Sequence, residues 1–264
     1  MPVSAYPDLG ELVRTLRAAG CVFAEDEAQL LLAAAATPAD LAVMVDRRAA
    51  GLPLEHVVGW AEFCGLRIAV DPGVFVPRRR TEFLVSQALA VPSPARPVVV
   101  DLCCGSGAVG AAIADALGLV ELHAADIEPT AVRCARQNLP DGEVHQGDLF
   151  EPLPAALRGR IDLLAANVPY VPTDAIELLP PEARLHEPRV ALDGGADGLS
   201  VLRRVAVRAP QWLAPSGHLL VETSQGQAAS AVEVFTEAGL LARAVSSEEA
   251  DATVVIGSLR DGHR

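Results

Sequence analysis

Apolar residues recur at helical spacing through the first fifty positions, as Leu9, Leu12, Val13 and Leu16 and then Leu30, Leu31 and Ala34, so each segment is expected to turn one face inward. Thr37-Pro38 offers an N-cap followed by a proline at the first helical position, which predicts a third helix toward Ala50. The chain is expected to begin as a small helical bundle. From Glu62 to Val76 aromatic and β-branched residues take over around Asp71-Pro72-Gly73, a turn signal between two short extended runs, and predict a hairpin-like connector. A helix is expected over 83–90, ending where the proline-rich stretch 91–97 forbids regular structure.

After Pro97 apolar runs alternate with helical stretches. Strands are predicted at 98–102, 120–126, 143–145, 161–166, 218–222, 241–245 and 253–258, with helices at 108–117, 129–139, 198–213 and 228–238 and a long loop after 166. Runs that are apolar on both faces and separated by helices imply a mostly parallel sheet covered on both sides, a doubly wound α/β class. A boundary is expected between a helical region with its hairpin connector, 1–82, and a second domain, 83–264.

The 264 residues suffice for one large domain or for a small one attached to a typical one. With 34 acidic against 21 basic residues the net charge is -13, which speaks against holding nucleic acid chiefly by phosphate neutralisation, so no direct nucleic-acid partner is expected. Every basic residue is arginine, a composition bias that carries no functional weight. The cysteines Cys21, Cys64, Cys103, Cys104 and Cys134 are odd in number and form no C-x-x-C pair. They suggest neither a disulfide frame nor a zinc site, and a cytoplasmic home is expected. No basic-then-apolar leader is seen, and the run Leu30 to Ala36 is too short to span a membrane. Oligomeric state is left open.

Asp101-Leu102-Cys103-Cys104-Gly105-Ser106-Gly107 follows the first strand of the second domain and opens a helix. Its glycines let the backbone pass close beneath a ligand, and the helix start supplies free amide donors. The next strand ends in Asp126, where a carboxylate can accept from both ribose hydroxyls, so the pair implies an adenosine-containing cofactor. Gly105 to Gly110 also matches G-x-G-x-x-G, which keeps a nicotinamide-dependent dehydrogenase as a rival. The helical region before the first strand and the acidic surroundings favour the cationic sulfonium of S-adenosylmethionine. In such a pocket Asp148 accepts from the exocyclic amine while Leu149 and Phe150 cover the flat ring.

Asn167-Val168-Pro169-Tyr170 ends a further apolar strand and is expected to face the cofactor, since open α/β sheets bind ligands beyond the carboxyl ends of their strands. It resembles the N-P-P-Y motif of methyltransferases acting on planar nitrogens. Such a nitrogen is a poor nucleophile because its lone pair is delocalised. If the asparagine oxygen and the following backbone carbonyl each accept one N–H, the lone pair is aimed at the methyl carbon. Tyr170 packs on the flat group and the proton leaves to water, so no metal or strong base is required. Val168 stands where the motif has its first proline; it keeps the carbonyl acceptor and is still held extended by Pro169.

The stretches Pro53 to Gly59, Glu62 to Leu66, Pro72 to Arg78 and Thr81-Glu82, then the glycine loop, Gly147 to Phe150, Asn167 to Tyr170 and the run from His186-Glu187-Pro188-Arg189 to Asp193-Gly194-Gly195-Ala196-Asp197-Gly198-Leu199, resemble the HemK/PrmC family of protein glutamine-N5 methyltransferases over residues 50–225. The resemblance implies a seven-stranded, Rossmann-like S-adenosylmethionine-dependent fold with a helical, substrate-recognising N-terminal domain. It implies methylation of the glutamine side-chain amide in the Gly-Gly-Gln motif of peptide release factors. It further implies that Cys103, Cys104, Gly105, Ser106, Gly107, Asp126, Leu149 and Asn167 contact the cofactor, with Thr81 reaching it from the connector, and that Asn167, Val168, Pro169 and Tyr170 hold the amide.

Cys103 for the first glycine of the family loop, Arg79-Arg80 for a proline and an acidic residue, and Val168 are departures that suggest a divergent branch. A nucleic-acid adenine or a small-molecule amide remains an alternative acceptor, and a module that keeps the cofactor without turnover remains a further reading. Cys103 and Cys104 read as small apolar filler, and His186 as a residue that fixes its loop through hydrogen bonds. Arg78, Arg79 and Arg80 either steer an acidic or RNA-bound partner or form a solvated face.

Overall fold

A computed structural model describes residues 8–259. Helices α1 (Leu9–Ala18), α2 (Ala24–Ala34) and α3 (Pro38–Ala49) form the expected bundle around Leu12, Leu16, Leu31, Leu41 and Val45. Thr37 caps α3 as predicted, its hydroxyl accepting the Asp40 N–H at 3.1 Å. Inside the bundle lies a buried ion pair: Arg48 Nε donates to Glu27 Oε2 at 2.6 Å. The other arm of the same guanidinium donates to Glu182 Oε1, also at 2.6 Å, and so ties the bundle to a residue 134 positions further along the chain.

A short helix α4 (Leu54–Val58) leads into the antiparallel pair β1 (Trp60–Phe63) and β2 (Leu66–Ala69). The hairpin exists, but its turn is Cys64-Gly65 and not Asp71-Pro72-Gly73. Two-residue hairpin turns need positive φ at both positions (type I′) or at the first (type II′), and Cys64 and Gly65, with φ of 50° and 76°, meet the former; the ring of Pro72 excludes positive φ. Asp71 to Gly73 instead forms a separate turn closed by Val74 N–H to the Asp71 carbonyl at 3.1 Å.

Helix α5 (Glu82–Ala90) precedes strand β3 (Val98–Leu102), and the chain then alternates through α6 (Ala108–Leu117), β4 (Glu121–Asp126), α7 (Pro129–Asn138), β5 (Glu143–Gln146) and β6 (Ile161–Ala166). The long loop after β6 contains a short helix, α8 (Pro181–His186), and is followed by α9 (Ser200–Arg208), β7 (Leu213–Thr223), α10 (Ala228–Glu237), β8 (Leu240–Ser247) and β9 (Ala252–Leu259). The helix expected through Leu213 stops at Arg208 because Pro210 follows, and Leu213 opens a strand five residues earlier than expected.

The seven strands run in the order β5-β4-β3-β6-β7-β9-β8, parallel except for β9, which is antiparallel to both neighbours. Alternate residues of the central strands feed two cores. Val99, Leu163 and Ala165 meet α5, α6 and α7 on one face, while Val100, Leu164 and Ala166 meet α9 and α10 on the other. From β3 the chain winds outward through β4 and β5 and then returns to β3's other side as β6. That reversal opens a crevice at the carboxyl ends of β3 and β6.

Arg48→Ala would leave the Glu27 carboxylate buried without its partner. The expected cost is about 3–5 kcal/mol of unfolding free energy, read as a lowered urea midpoint, with most of it recovered when Glu27 is changed to methionine in the same chain.

Candidate active site

The crevice holds a cavity of about 610 Å³ lined by the glycine loop, Asp126, Asp148 and Leu149 on one side and by Thr81, Asn167 to Tyr170 and part of α8 on the other. The turn after β3 is left-handed at Cys103, Gly105 and Gly107, with φ of 54°, 54° and 79°. A Cβ at Gly107 would come within 3.0 Å of Leu139, and one at Gly110 within 3.2 Å of Asp101 Oδ2. Two glycines of the G-x-G-x-x-G match thus let α6 sit closely on its neighbours, a packing need that does not depend on which cofactor binds.

Asp126 closes β4 by organising the turn beside it: its Oδ2 accepts the Gly105 N–H and its Oδ1 the Glu128 N–H, both at 2.9 Å. Each oxygen retains a lone pair. Behind the turn, Asp101 accepts the Gly110 N–H at 2.9 Å, and burial pushes its carboxyl up to about 7. Asp148 lines the cavity with its Oδ2 bound to Arg204. Leu149, at φ 51°, also lines it, whereas Phe150 turns into the core against Trp212, with ring centroids 5.4 Å apart. The expectation that Phe150 covers a bound ring is therefore corrected: after a left-handed residue the chain reverses, and the larger ring takes the dry side. Cys103 and Cys104 are free thiols raised well above the ordinary value by burial and by the neighbouring carboxylates, which suits filler and not nucleophiles.

On the acceptor side Asn167 directly follows β6, and its Nδ2 donates to the buried Thr81 Oγ1 at 3.3 Å. Neither Asn167 Oδ1 nor the Val168 carbonyl accepts a hydrogen bond among the described residues. Val168 is buried in the core. The Tyr170 hydroxyl donates to Glu222 Oε1 at 3.2 Å, and the Tyr170 carbonyl accepts Gln227 Nε2–H at 3.0 Å. Glu222, at the end of β7, is itself buried; burial raises its carboxyl, while nearby Thr81, the charge of Arg80 and the Tyr170 hydroxyl pull it back. Arg80 Nε lies 3.5 Å from Glu222, and its guanidinium lies 5.9 Å from the Tyr170 ring centre.

The run 186–199 holds this tetrapeptide from outside. Val171 N–H donates to the Leu192 carbonyl and Gly194 N–H to the Val171 carbonyl. A Cβ at Gly194 would stand 2.7 Å from the Pro169 carbonyl oxygen, and one at Gly198 2.3 Å from that of Tyr170. Glycine is required because two backbones meet. The residue that ties the run to the connector is Glu187 and not His186: buried Glu187 Oε1 accepts the Val76 N–H at 3.1 Å and pairs with Arg78. Arg78 and Arg80 are thus engaged with buried carboxylates instead of forming a free basic face. Glu222 and Gln227 were not expected from sequence; the one signal for the former is a carboxylate closing the apolar run Leu219 to Val221.

Residues 65–179 match a family model described as "Methyltransferase small domain". The release factor glutamine methyltransferase of Geobacter sulfurreducens is 40% identical over 203 residues, which cover 74% of this chain and 69% of that protein. Its counterpart in Moorella thermoacetica is 38% identical over 248 residues, 83% of this chain and 86% of that one. The chain belongs to the release factor glutamine methyltransferase family. Two solved structures share its fold: a methyltransferase from Pyrococcus furiosus, with TM-score 0.56 and 14% identity over 74% of this chain and 89% of that one, and the ribosomal protein L11 methylase of Lactobacillus delbrueckii subsp. bulgaricus, with TM-score 0.53 and 17% identity over 73% and 85%.

Membership of the release factor glutamine methyltransferase family decides between the two cofactors that the glycine-rich turn allows. The chain is an S-adenosylmethionine-dependent N-methyltransferase and not a nicotinamide-dependent dehydrogenase. The residues fit that cofactor. Asp126, Glu128, Asp148, Glu182 and Asp251 line the cavity against Arg78, Arg80 and Arg204, an acidic balance that suits a sulfonium and opposes a pyrophosphate.

Gly198→Ala forces a methyl group against the Tyr170 carbonyl and Gln227. It should lower methyl transfer about a hundredfold through misplacement of the tetrapeptide, while calorimetry shows unchanged S-adenosylmethionine affinity.

Proposed function

We propose that this enzyme methylates the side-chain amide nitrogen of a glutamine presented by a protein, and that the protein is a peptide release factor. The observation that carries the reading is the direction of the Asn167 amide. With Nδ2 committed to Thr81, the acceptor oxygen Oδ1 is left for the crevice, and the unused Val168 carbonyl follows it in the chain. Two acceptors in that order suit the two N–H bonds of a primary carboxamide.

In this reading Asn167 Oδ1 and the Val168 carbonyl hold the two amide hydrogens and fix the plane of the glutamine group, so its nitrogen lone pair is directed at the methyl donor and not left to tumble. S-adenosylmethionine supplies an electrophilic methyl carbon on a cationic sulfur. Asp126 would accept the ribose hydroxyls, with Cys103 to Gly107 passing beneath the cofactor and Asp148 and Leu149 beside its adenine. Tyr170, fixed by Glu222 and by Gln227, flanks the amide as a flat wall. The proton lost from the methylated nitrogen passes to water.

The relatives' names supply the identity of the acceptor protein, and the architecture suits one. The bundle that forms most of 1–82 is anchored by Arg48 to Glu182, a residue of the cavity rim, so a docked protein would meet both parts at once. Among the described residues no helix is long and apolar enough to cross a membrane, and a cytoplasmic enzyme working on translation factors is in keeping with that.

Asn167→Ala should abolish transfer to purified release factor while S-adenosylmethionine affinity stays within about tenfold, because one neutral hydrogen bond is worth roughly 0.5–1.5 kcal/mol. Mass spectrometry of the factor gives the first reading and calorimetry the second. Full activity in this variant, or label that enters nucleic acid and no protein, overturns the assignment. Thr81→Val removes the acceptor that orients Asn167 and should lower kcat more than it raises KM, whereas Thr81→Ser, which keeps the hydroxyl, should retain most of the rate.

A further inference from the structure

Away from the crevice, at the edge of the sheet, β4 and β5 bring two imidazoles and two carboxylates onto one face. His123 stands opposite Glu143 in the strand register, and His145 stands opposite Ala125. Residues 121, 123, 143 and 145 therefore share a side of the pleat. His123 is buried, His145 half-buried and Glu143 exposed, so the group has a dry floor and an open mouth.

Three atoms of this group form a triangle: His123 Nδ1, His145 Nε2 and Glu143 Oε2, with sides of 3.1, 3.7 and 3.9 Å. A point equidistant from all three lies about 2.1 Å from each, inside the range zinc takes to imidazole nitrogen and carboxylate oxygen. The other nitrogen of His123, Nε2, lies 3.6 Å from Glu121 Oε1, and Glu121 is in turn held by Arg160 at 3.0 Å. A carboxylate on the far side of a ligating histidine fixes its tautomer and aims the ligating nitrogen inward.

We propose that His123, His145 and Glu143 bind a divalent transition-metal ion of the zinc class, with a fourth position open to water. Two histidines and a carboxylate are borderline ligands suited to such an ion and not to calcium or magnesium, which prefer all-oxygen shells. Without metal the rings lie 18° from coplanar and share a hydrogen bond. On binding, the proton between the rings moves to the outer nitrogen of the ring that carried it, so that both inner nitrogens turn lone pairs to the ion, and each ring swings about its soft second torsion to face the centre. Since β5 is a four-residue edge strand paired on one side only, the ion acts as a clip from β4 to β5. The site is structural, separate from methyl transfer, and independent of which acceptor the enzyme uses.

Titration of zinc chloride into the EDTA-stripped full chain should show one ion bound per molecule and a zinc-dependent rise in Tm. His145→Ala and Glu143→Gln should each remove both effects, and Glu121→Gln should weaken binding by about tenfold to a hundredfold. Cobalt loaded in place of zinc should give visible bands of nitrogen and oxygen coordination without thiolate charge transfer. Glu143→Gln keeps the shape of an exposed residue, so it decides the matter if His145→Ala folds poorly. Absence of saturable binding, binding that survives Glu143→Gln, or a cobalt–thiolate band pointing to the cysteines overturns the proposal.

Discussion

A carboxylate accepts hydrogen bonds and donates none, and that asymmetry orders the acceptor side of the crevice. Glu222 lies buried at the end of β7, its Oε1 accepting from the Tyr170 hydroxyl at 3.2 Å with Arg80 Nε 3.5 Å away. Deeper in the crevice the buried Thr81 hydroxyl oxygen accepts from Asn167 Nδ2 at 3.3 Å. The asparagine amide then has one orientation, with its oxygen toward the crevice. Burial raises the Glu222 carboxyl, and Arg80, Thr81 and Tyr170 oppose that rise, so the groups gathered around it favour its charged form.

Much of this was legible in the sequence. Alternating apolar runs and helical stretches gave the order of the sheet's elements, and the resemblance placed the glycine loop, Asp126 and Asn167 around one cavity, where they are found. What sequence pattern missed was created by folding. Glu222 and Gln227 reach Tyr170 across 52 and 57 residues, and no local spacing marks such a pair. The hairpin turn was misplaced because Pro72-Gly73 is a stronger local signal than Cys64-Gly65, although only the latter supplies two left-handed residues. Phe150 and His186 were misread for a common reason: each has a neighbour of suitable chemistry, Leu149 and Glu187, and which of the two faces inward is set by backbone direction, not by composition.

Arg80 shows how a departure from a family pattern acquires a role. It stands where the family commonly carries an acidic residue, yet here it lies beside a buried carboxylate and over an aromatic ring. An acid at that place would add a like charge to Glu222, whereas the guanidinium offsets it. The basic triplet is therefore read through its partners, two of which are internal.

The tetrapeptide after β6 is braced on every side by other parts of the molecule: Thr81 below, Gln227 and Gly198 at Tyr170, and Gly194 against Pro169. Its shape is thus a property of the surrounding scaffold more than of its own four letters. A ring at position 168 would stiffen a segment already stiffened by its mould, and this explains why valine, sunk into the interior, is accommodated there without any loosening of the loop.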